Sequence, residues 1–174
     1  METITLAGGC FWCLEAVYEQ VVGVEAVESG YSNGQLHDPS YAQVCQGDTG
    51  HAEVVRLRFD PSVLPLRAVL EIFFTIHDPT TRNRQGNDVG PQYRSGIYWH
   101  DESQREVIDA VLAEVDAATG GRVVTEVAAV DNYWRAEDEH QHYFARHPGQ
   151  GYCAAVVAPK VEKFRRTFGQ HQRR

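Results

Sequence analysis

Two periodicities take turns along the chain. Residues 1–7 read as a strand, and from about Phe11 to Val21 the apolar residues fall at helical spacing. Val24 to Tyr31 reads as a second strand, ending at the turn residues Ser32-Asn33-Gly34. Ala52 to Phe59 alternates cleanly and predicts a strand, with Val54, Val55, Leu57 and Phe59 among polar residues. Leu66 to His77 predicts a helix, opened by Pro65 and closed by Asp78-Pro79. Ser95 to Trp99 is strand-like. Asp101 then caps an amphipathic helix with Val107, Val111, Leu112 and Val115 on one face, ending at Gly120-Gly121. Val123 to Val130 predicts a strand and Ala136 to Arg146 a short polar helix. Pro148 to Cys153 leads into a last strand-like run and a terminal helix. Strands and helices that alternate with short connections imply an α/β layer packing, a sheet with helices against it.

Two loops interrupt this pattern. His37 to Tyr41, running on to Cys45-Gln46-Gly47-Asp48, and the glycine- and asparagine-rich Thr80 to Arg94 have the irregular composition of functional loops. No repeat, low-complexity segment or linker divides the chain, so residues 1–174 read as one domain. Hydrophobic content of 43% and charged content of 23% are those of a soluble globular protein. No apolar run reaches membrane length, and the N-terminus lacks a basic region followed by an apolar stretch, so the expected location is cytoplasmic. The net charge of −8 argues against a nucleic-acid partner. Lys160 to Arg166 and Arg173-Arg174 read as a solvated terminal helix and tail. Cys10, Cys13, Cys45 and Cys153 are too few and too scattered for a secreted disulfide scaffold. In a reducing compartment they are catalytic, metal-binding or buried.

The densest chemistry lies at Gly8-Gly9-Cys10-Phe11-Trp12-Cys13. A cysteine between a strand and a helix, after two glycines, meets unsatisfied helix N–H groups and the positive end of the helix dipole, conditions that favour a thiolate nucleophile. Cys10-x-x-Cys13 can close a redox disulfide or supply half of a zinc site. No second pair of ligands accompanies it, which weighs against zinc. Phe11 and Trp12 flank Cys10 and could enclose a small apolar group such as a methyl. Glu53 enters an otherwise apolar strand. Burial there would raise its pKa and make it a proton donor near neutrality, against the alternative of a salt-bridged strand end. Tyr41, Asp88 and Tyr93 sit in the two loops.

Taken together, Gly9-Cys10-Phe11-Trp12, Gly30-Tyr31, Tyr41, Thr49-Gly50-His51-Ala52-Glu53-Val54, His77-Asp78-Pro79-Thr80, Arg84 to Ser95, Ala136 to Gln141 and Gly151-Tyr152-Cys153 resemble the A-class peptide methionine sulfoxide reductases over nearly the whole chain. The resemblance implies a two-layer α/β (α+β) sandwich of ferredoxin-like type with elaborated loops. It implies an enzyme reducing the S epimer of methionine sulfoxide, free or in proteins, and so repairing oxidative damage. Cys10 matches the family's nucleophile, Glu53 its acid, Tyr41 and Tyr93 its sulfoxide-oxygen donors, Asp88 a polar residue of the same site, and Phe11 and Trp12 the methyl pocket.

Chemistry accords with these roles, because a sulfoxide sulfur is a poor electrophile until its oxygen is protonated or strongly hydrogen-bonded. Attack leaves a sulfenic acid on Cys10. A second thiol condenses with it to a disulfide, which thioredoxin or another external dithiol reduces. No bound cofactor or metal is expected, and the working unit is expected to be a monomer. Many family members carry glycine at the position of Cys13, so two thiols compete to resolve the sulfenic acid. Cys153, in a glycine-flanked loop free to swing, is preferred to Cys13, and Cys45 is expected in the core. The rival is a thioredoxin-like dithiol oxidoreductase using Cys10 and Cys13.

Overall fold

The computed structural model describes residues 1–173, so of the basic tail Arg174 lies outside the described residues. Its strands are β1 (Glu2–Ala7), β2 (Val24–Ser32), β3 (Ala52–Phe59), β4 (Arg84–Gln85), β5 (Asp88–Val89), β6 (Gly96–Trp99), β7 (Glu126–Ala129) and β8 (Trp134–Arg135). Its helices are α1 (Phe11–Tyr18), α2 (Tyr41–Cys45), α3 (Leu66–Ile76), α4 (Gln104–Ala118), α5 (Tyr143–Arg146) and α6 (Ala158–Thr167). The main sheet has the order β7-β6-β1-β3-β2-β8, antiparallel throughout except for the parallel β6–β7 pair. Its inner four strands, β6-β1-β3-β2, with α1 and α3 as crossovers, make the expected ferredoxin-like sandwich.

Period-two alternation sorts the two faces. Ile4 and Leu6 of β1 and Val55, Leu57 and Phe59 of β3 point into the main core, where they meet Leu14, Val17, Tyr18, Leu70 and Phe73, all essentially fully buried. The Tyr18 hydroxyl donates to the Val69 carbonyl at 2.7 Å and ties α1 to α3. On the opposite face Ala7, Ala52, Val54 and Tyr98 form a smaller cluster, and the Arg56 guanidinium lies 3.8 Å above the Tyr133 ring.

Three expectations need correction. The helix expected over Ala136 to Arg146 is broken into a 3-10 turn at Asp138–His140 and the one-turn α5, just after β8. His142, with φ +56°, takes a left-handed conformation that ends any continuous helix there. The strand-like run after Cys153 is instead a π-turn, Cys153–Val157, leading directly into α6. Its valines favour strands weakly, and packing on the core decides: Cys153 and Val157 are fully buried. Cys153 is therefore held in a helix and not in a swinging loop. The polar loop before Gln46 also contains α2, started by a capping box in which Ser40 and Gln43 bond each other's backbone N–H.

Candidate active site

β1 ends at Ala7, and the chain turns through Gly8 and Gly9 to place Cys10 at the N-cap of α1. Gly9 has φ +87°, and a Cβ there would lie 2.9 Å from the Cβ and Cγ of Gln85. Gln85 accepts the Asp78 N–H at 2.9 Å and donates to the Asp78 carbonyl at 2.5 Å. The β4–β5 hairpin is thereby pinned over the glycine turn, and it carries Asp88.

Glu53 continues the inward row of Val55, Leu57 and Phe59 and pairs in register with Tyr31 of β2. Its carboxyl is fully buried. Oε1 accepts the Phe11 N–H at 3.1 Å, one of the first amides of α1, while Oε2 has no hydrogen-bond partner. Burial pushes Glu53 up to about 8 against the pull of the Phe11 amide, and the charge of Asp88 adds to the rise. At pH 7 Glu53 is thus a neutral acid with one oxygen free to hand on a hydrogen.

Cys10 departs from the exposed, electropositive position its sequence context suggested. It is only 7% exposed, and burial raises its thiol well above the usual range, with Glu53 and Cys13 adding to the rise. The Trp12 amide pulls the other way, as expected at a helix start, but desolvation outweighs it. At neutral pH Cys10 therefore rests as a thiol.

Tyr41, at the start of α2, and Tyr93, in the 3-10 turn Pro91–Tyr93, are half-buried phenols. Burial raises both, so both remain hydrogen donors, and both lie within the fields of Glu53 and Cys10. Phe11 is fully buried, its ring 5.7 Å from Tyr31, 6.3 Å from Tyr41 and 5.5 Å from His140. Trp12 is partly exposed. It stacks on Tyr143 at 3.8 Å with the rings 4° from parallel, and its indole N–H donates to His140 Nδ1 at 3.3 Å. The structure thus brings Cys10, Glu53, Tyr41, Tyr93 and Asp88 within one another's fields, with Phe11 and Trp12 following Cys10 on the first turn of α1. Cys45, expected in the core, is exposed, with its sulfur beside the Tyr41 hydroxyl.

Four contributors carry no signal by spacing alone. Glu137 accepts the Tyr31 hydroxyl at 2.8 Å and the Tyr41 N–H at 2.9 Å, so one carboxylate orients both tyrosines. His140 lies 4.3 Å from the Tyr41 ring, and Tyr143 backs Trp12. Tyr152 donates to Asp88 Oδ2 at 2.5 Å and stands edge-on to Trp12 at 5.9 Å. A cleft of about 910 Å³ is lined by Asp88 and Tyr152 and continues past His77, Lys160 and Lys163. Among the described residues, His and acidic ligand atoms converge within 4.8 Å at Glu15, Glu19 and His142 and at Glu137, Glu139 and His140. Neither group includes a cysteine. Glu15 and Glu137 are already engaged, by Ser29 and Tyr143 and by Tyr31 and Tyr41.

Cys13 is fully buried on the first turn of α1, its N–H donating to the Cys10 carbonyl at 3.1 Å, and its charge acts on Cys10. Burial raises Cys13 to about 11, although Lys160 and the Tyr152 hydroxyl favour its thiolate. Cys153 is buried as well. Burial alone raises its thiol, and no charge from the pocket registers on it.

Residues 2–172 match the family model described as peptide methionine sulfoxide reductase. The peptide methionine sulfoxide reductase MsrA of Ralstonia nicotianae is 54% identical over 174 residues, covering 97% of this chain and 91% of the relative. Mxr1 from Saccharomyces cerevisiae in reduced form superposes with a TM-score of 0.82 at 37% identity, covering 90% of each chain. The same yeast protein in complex with Trx2 matches with a TM-score of 0.57 at 27% identity, covering 82% of this chain and 84% of that one. A reductase site at a ferredoxin-like sheet, matched from end to end in sequence and in fold, makes this chain a member of the peptide methionine sulfoxide reductase family.

Proposed function

We propose that the chain reduces methionine S-sulfoxide, free or in oxidised proteins, with Cys10 as nucleophile and Glu53 as acid. The observation that carries this reading is the buried, neutral Glu53 with its unpartnered Oε2, set under the N-terminus of α1 beside Cys10. A sulfoxide oxygen directed at that oxygen would receive its hydrogen and those of Tyr41 and Tyr93, while Phe11 and Trp12 enclose the methyl group. Donors held in place in a dry pocket stabilise the developing charge without reorganising water. The Cys10 sulfur then bonds to the substrate sulfur as its proton departs. Oxygen ends on Cys10 as a sulfenic acid, methionine leaves, and Glu53 recovers its proton from the thiol.

The resolving thiol is Cys13. Cβ atoms three residues apart on a helical turn are about 5–6 Å apart, within a small adjustment of the roughly 4 Å a disulfide takes. Cys153 matches a family recycling position, but its burial in the π-turn removes the mobility that recommended it. Reduction of the Cys10–Cys13 disulfide falls to thioredoxin or another external dithiol, in keeping with the Trx2 complex of the yeast relative. Unbonded cysteines suit the reducing cytoplasm, and no described helix is long and apolar enough to cross a membrane. The protein works as a monomer on this reading.

One turnover without reductant tests the scheme. Wild type should release one methionine per chain and lose two thiols, mapped by mass spectrometry to Cys10 and Cys13. Cys10→Ser should release none, and methionine release by that variant would overturn the assignment.

A further inference from the structure

We propose that the cleft beside the Cys10 turn takes the polypeptide flanking an oxidised methionine, and that Lys160 and Lys163 there favour substrates whose neighbouring residues are acidic. This rests on the reading that the sulfoxide is attacked at Cys10. The cleft, of about 910 Å³, falls in the size range of ligand sites. Its wall is packed against the residues on either side of Cys10. A Cβ on Gly8 would lie 3.1 Å from the His77 ring, and one on Gly9 would lie 2.9 Å from Gln85. His77 and Gln85 both line the cleft. Tyr152, a third lining residue, stands edge-on to Trp12 at 5.9 Å. A methionine side chain is short and unbranched. A sulfur held at Cys10 therefore keeps its own backbone, and the residues next to it, close to this wall.

Charge selects among those residues. The chain has two lysines, and both line the cleft. They stand three positions apart on α6 and so share one face of the helix. Among the described residues neither forms a salt bridge, and Glu162 between them pairs with Arg165 at 4.0 Å. The acidic and imidazole groups of the cleft are already committed. Asp88 accepts the Tyr152 hydroxyl, and Asp78 accepts the Thr80 N–H and hydroxyl at 2.9 and 2.5 Å. His77 bonds the Phe73 carbonyl and the Ser95 hydroxyl. The cleft thus offers a ligand two ammonium groups beside the apolar Phe74, Val156 and Pro159. A protein of net charge −8 repels acidic segments in general. Here it places its two lysines beside the turn that carries Cys10, where Asp or Glu next to an oxidised methionine meets them.

Two blocked pentapeptides with a central methionine S-sulfoxide test the assignment, one flanked by glutamates and the other by glutamines, with dithiothreitol as reductant. Exposed ion pairs are individually weak, so wild type should favour the acidic peptide about fivefold in kcat/KM at low salt, through KM. The preference should vanish in about 0.5 M sodium chloride. Lys160→Met combined with Lys163→Met should bring the ratio between the peptides to about one. Lys163→Glu alone, at an exposed position, should reverse the preference. Each enzyme is read as a ratio, so a loss of folded protein does not imitate the effect. Equal use of the two peptides by wild type, or a preference that survives in both variants, would overturn the docking proposal and leave attack at Cys10 intact. Lysine effects confined to the KM for thioredoxin would overturn it likewise and assign the cleft to the reductant. Reduction of either peptide by Cys10→Ser would overturn the catalytic reading itself.

Discussion

Glu53, the proposed acid, occupies a position that burdens stability above neutral pH. Its folded pKa of about 8 lies far above the ordinary value of 4.5. Between those two values the unfolded chain ionises and the folded one does not. The stability associated with the protonated carboxyl is therefore complete below about 4.5 and is lost as pH rises through about 8. At 1.36 kcal/mol per pKa unit the loss amounts to about 3–5 kcal/mol. Glu53→Gln should accordingly match wild type in urea midpoint near pH 4 and exceed it progressively towards pH 8.5, while methionine release falls at least a hundredfold. A stability difference that does not change with pH would refute the buried neutral acid. In wild type, methionine release should decline with rising pH through about 8 as the acid ionises. Glu53 itself is legible in the sequence as a carboxyl entering an alternating strand. Its partnership with Tyr31 is not, because strand register joins residues 22 positions apart only after folding.

Among the elements, the strand-to-helix turn is the most constrained. Gly9 combines a left-handed backbone with contact to Gln85, so Gly9→Ala meets both backbone strain and a clash that displaces the hairpin carrying Asp88. The expected cost is about 1–3 kcal/mol of stability, read as a lower denaturation midpoint, with a larger loss of kcat than that destabilisation alone accounts for. Elements with a clear period were legible from sequence: β1, β3 and α3 lie within one residue or so of their expected bounds because alternation or helical spacing runs unbroken through them. The misses share a physical cause. α2 depends on a local capping box, the break at His142 on one left-handed residue, and the helical Cys153–Val157 on its seat against the core. The site followed the same division: Cys10, Phe11 and Trp12 announce themselves within one turn of chain. Glu137 and Tyr152 matter through partners 96 and 64 residues away.

For the molecule as a whole, the chain ends are working parts of the frame. Of the tail expected to be solvated, Arg173 is exposed and also anchored: its guanidinium donates to the carbonyls of Val21 at 3.2 Å and Val24 at 2.7 Å, and Val22 donates its N–H to the His171 carbonyl at 2.7 Å. Those carbonyls lie in the turn after α1 and at the start of β2, so Arg173 braces the exit of the helix whose first turn follows Cys10. Arg173→Ala should cost about 1–2 kcal/mol, a fall of about 2–8 °C in Tm for a chain of this size, with single-turnover methionine release retained. An unchanged Tm would show that the brace carries no weight.

The sealed Cys10 thiol has one more consequence. A repair enzyme for oxidised methionine labours in the very oxidant that made its substrate, and peroxide reacts with thiolates far more readily than with thiols. Burial that keeps Cys10 protonated would thus, on the proposed reading, shield the enzyme from the agent whose damage it reverses.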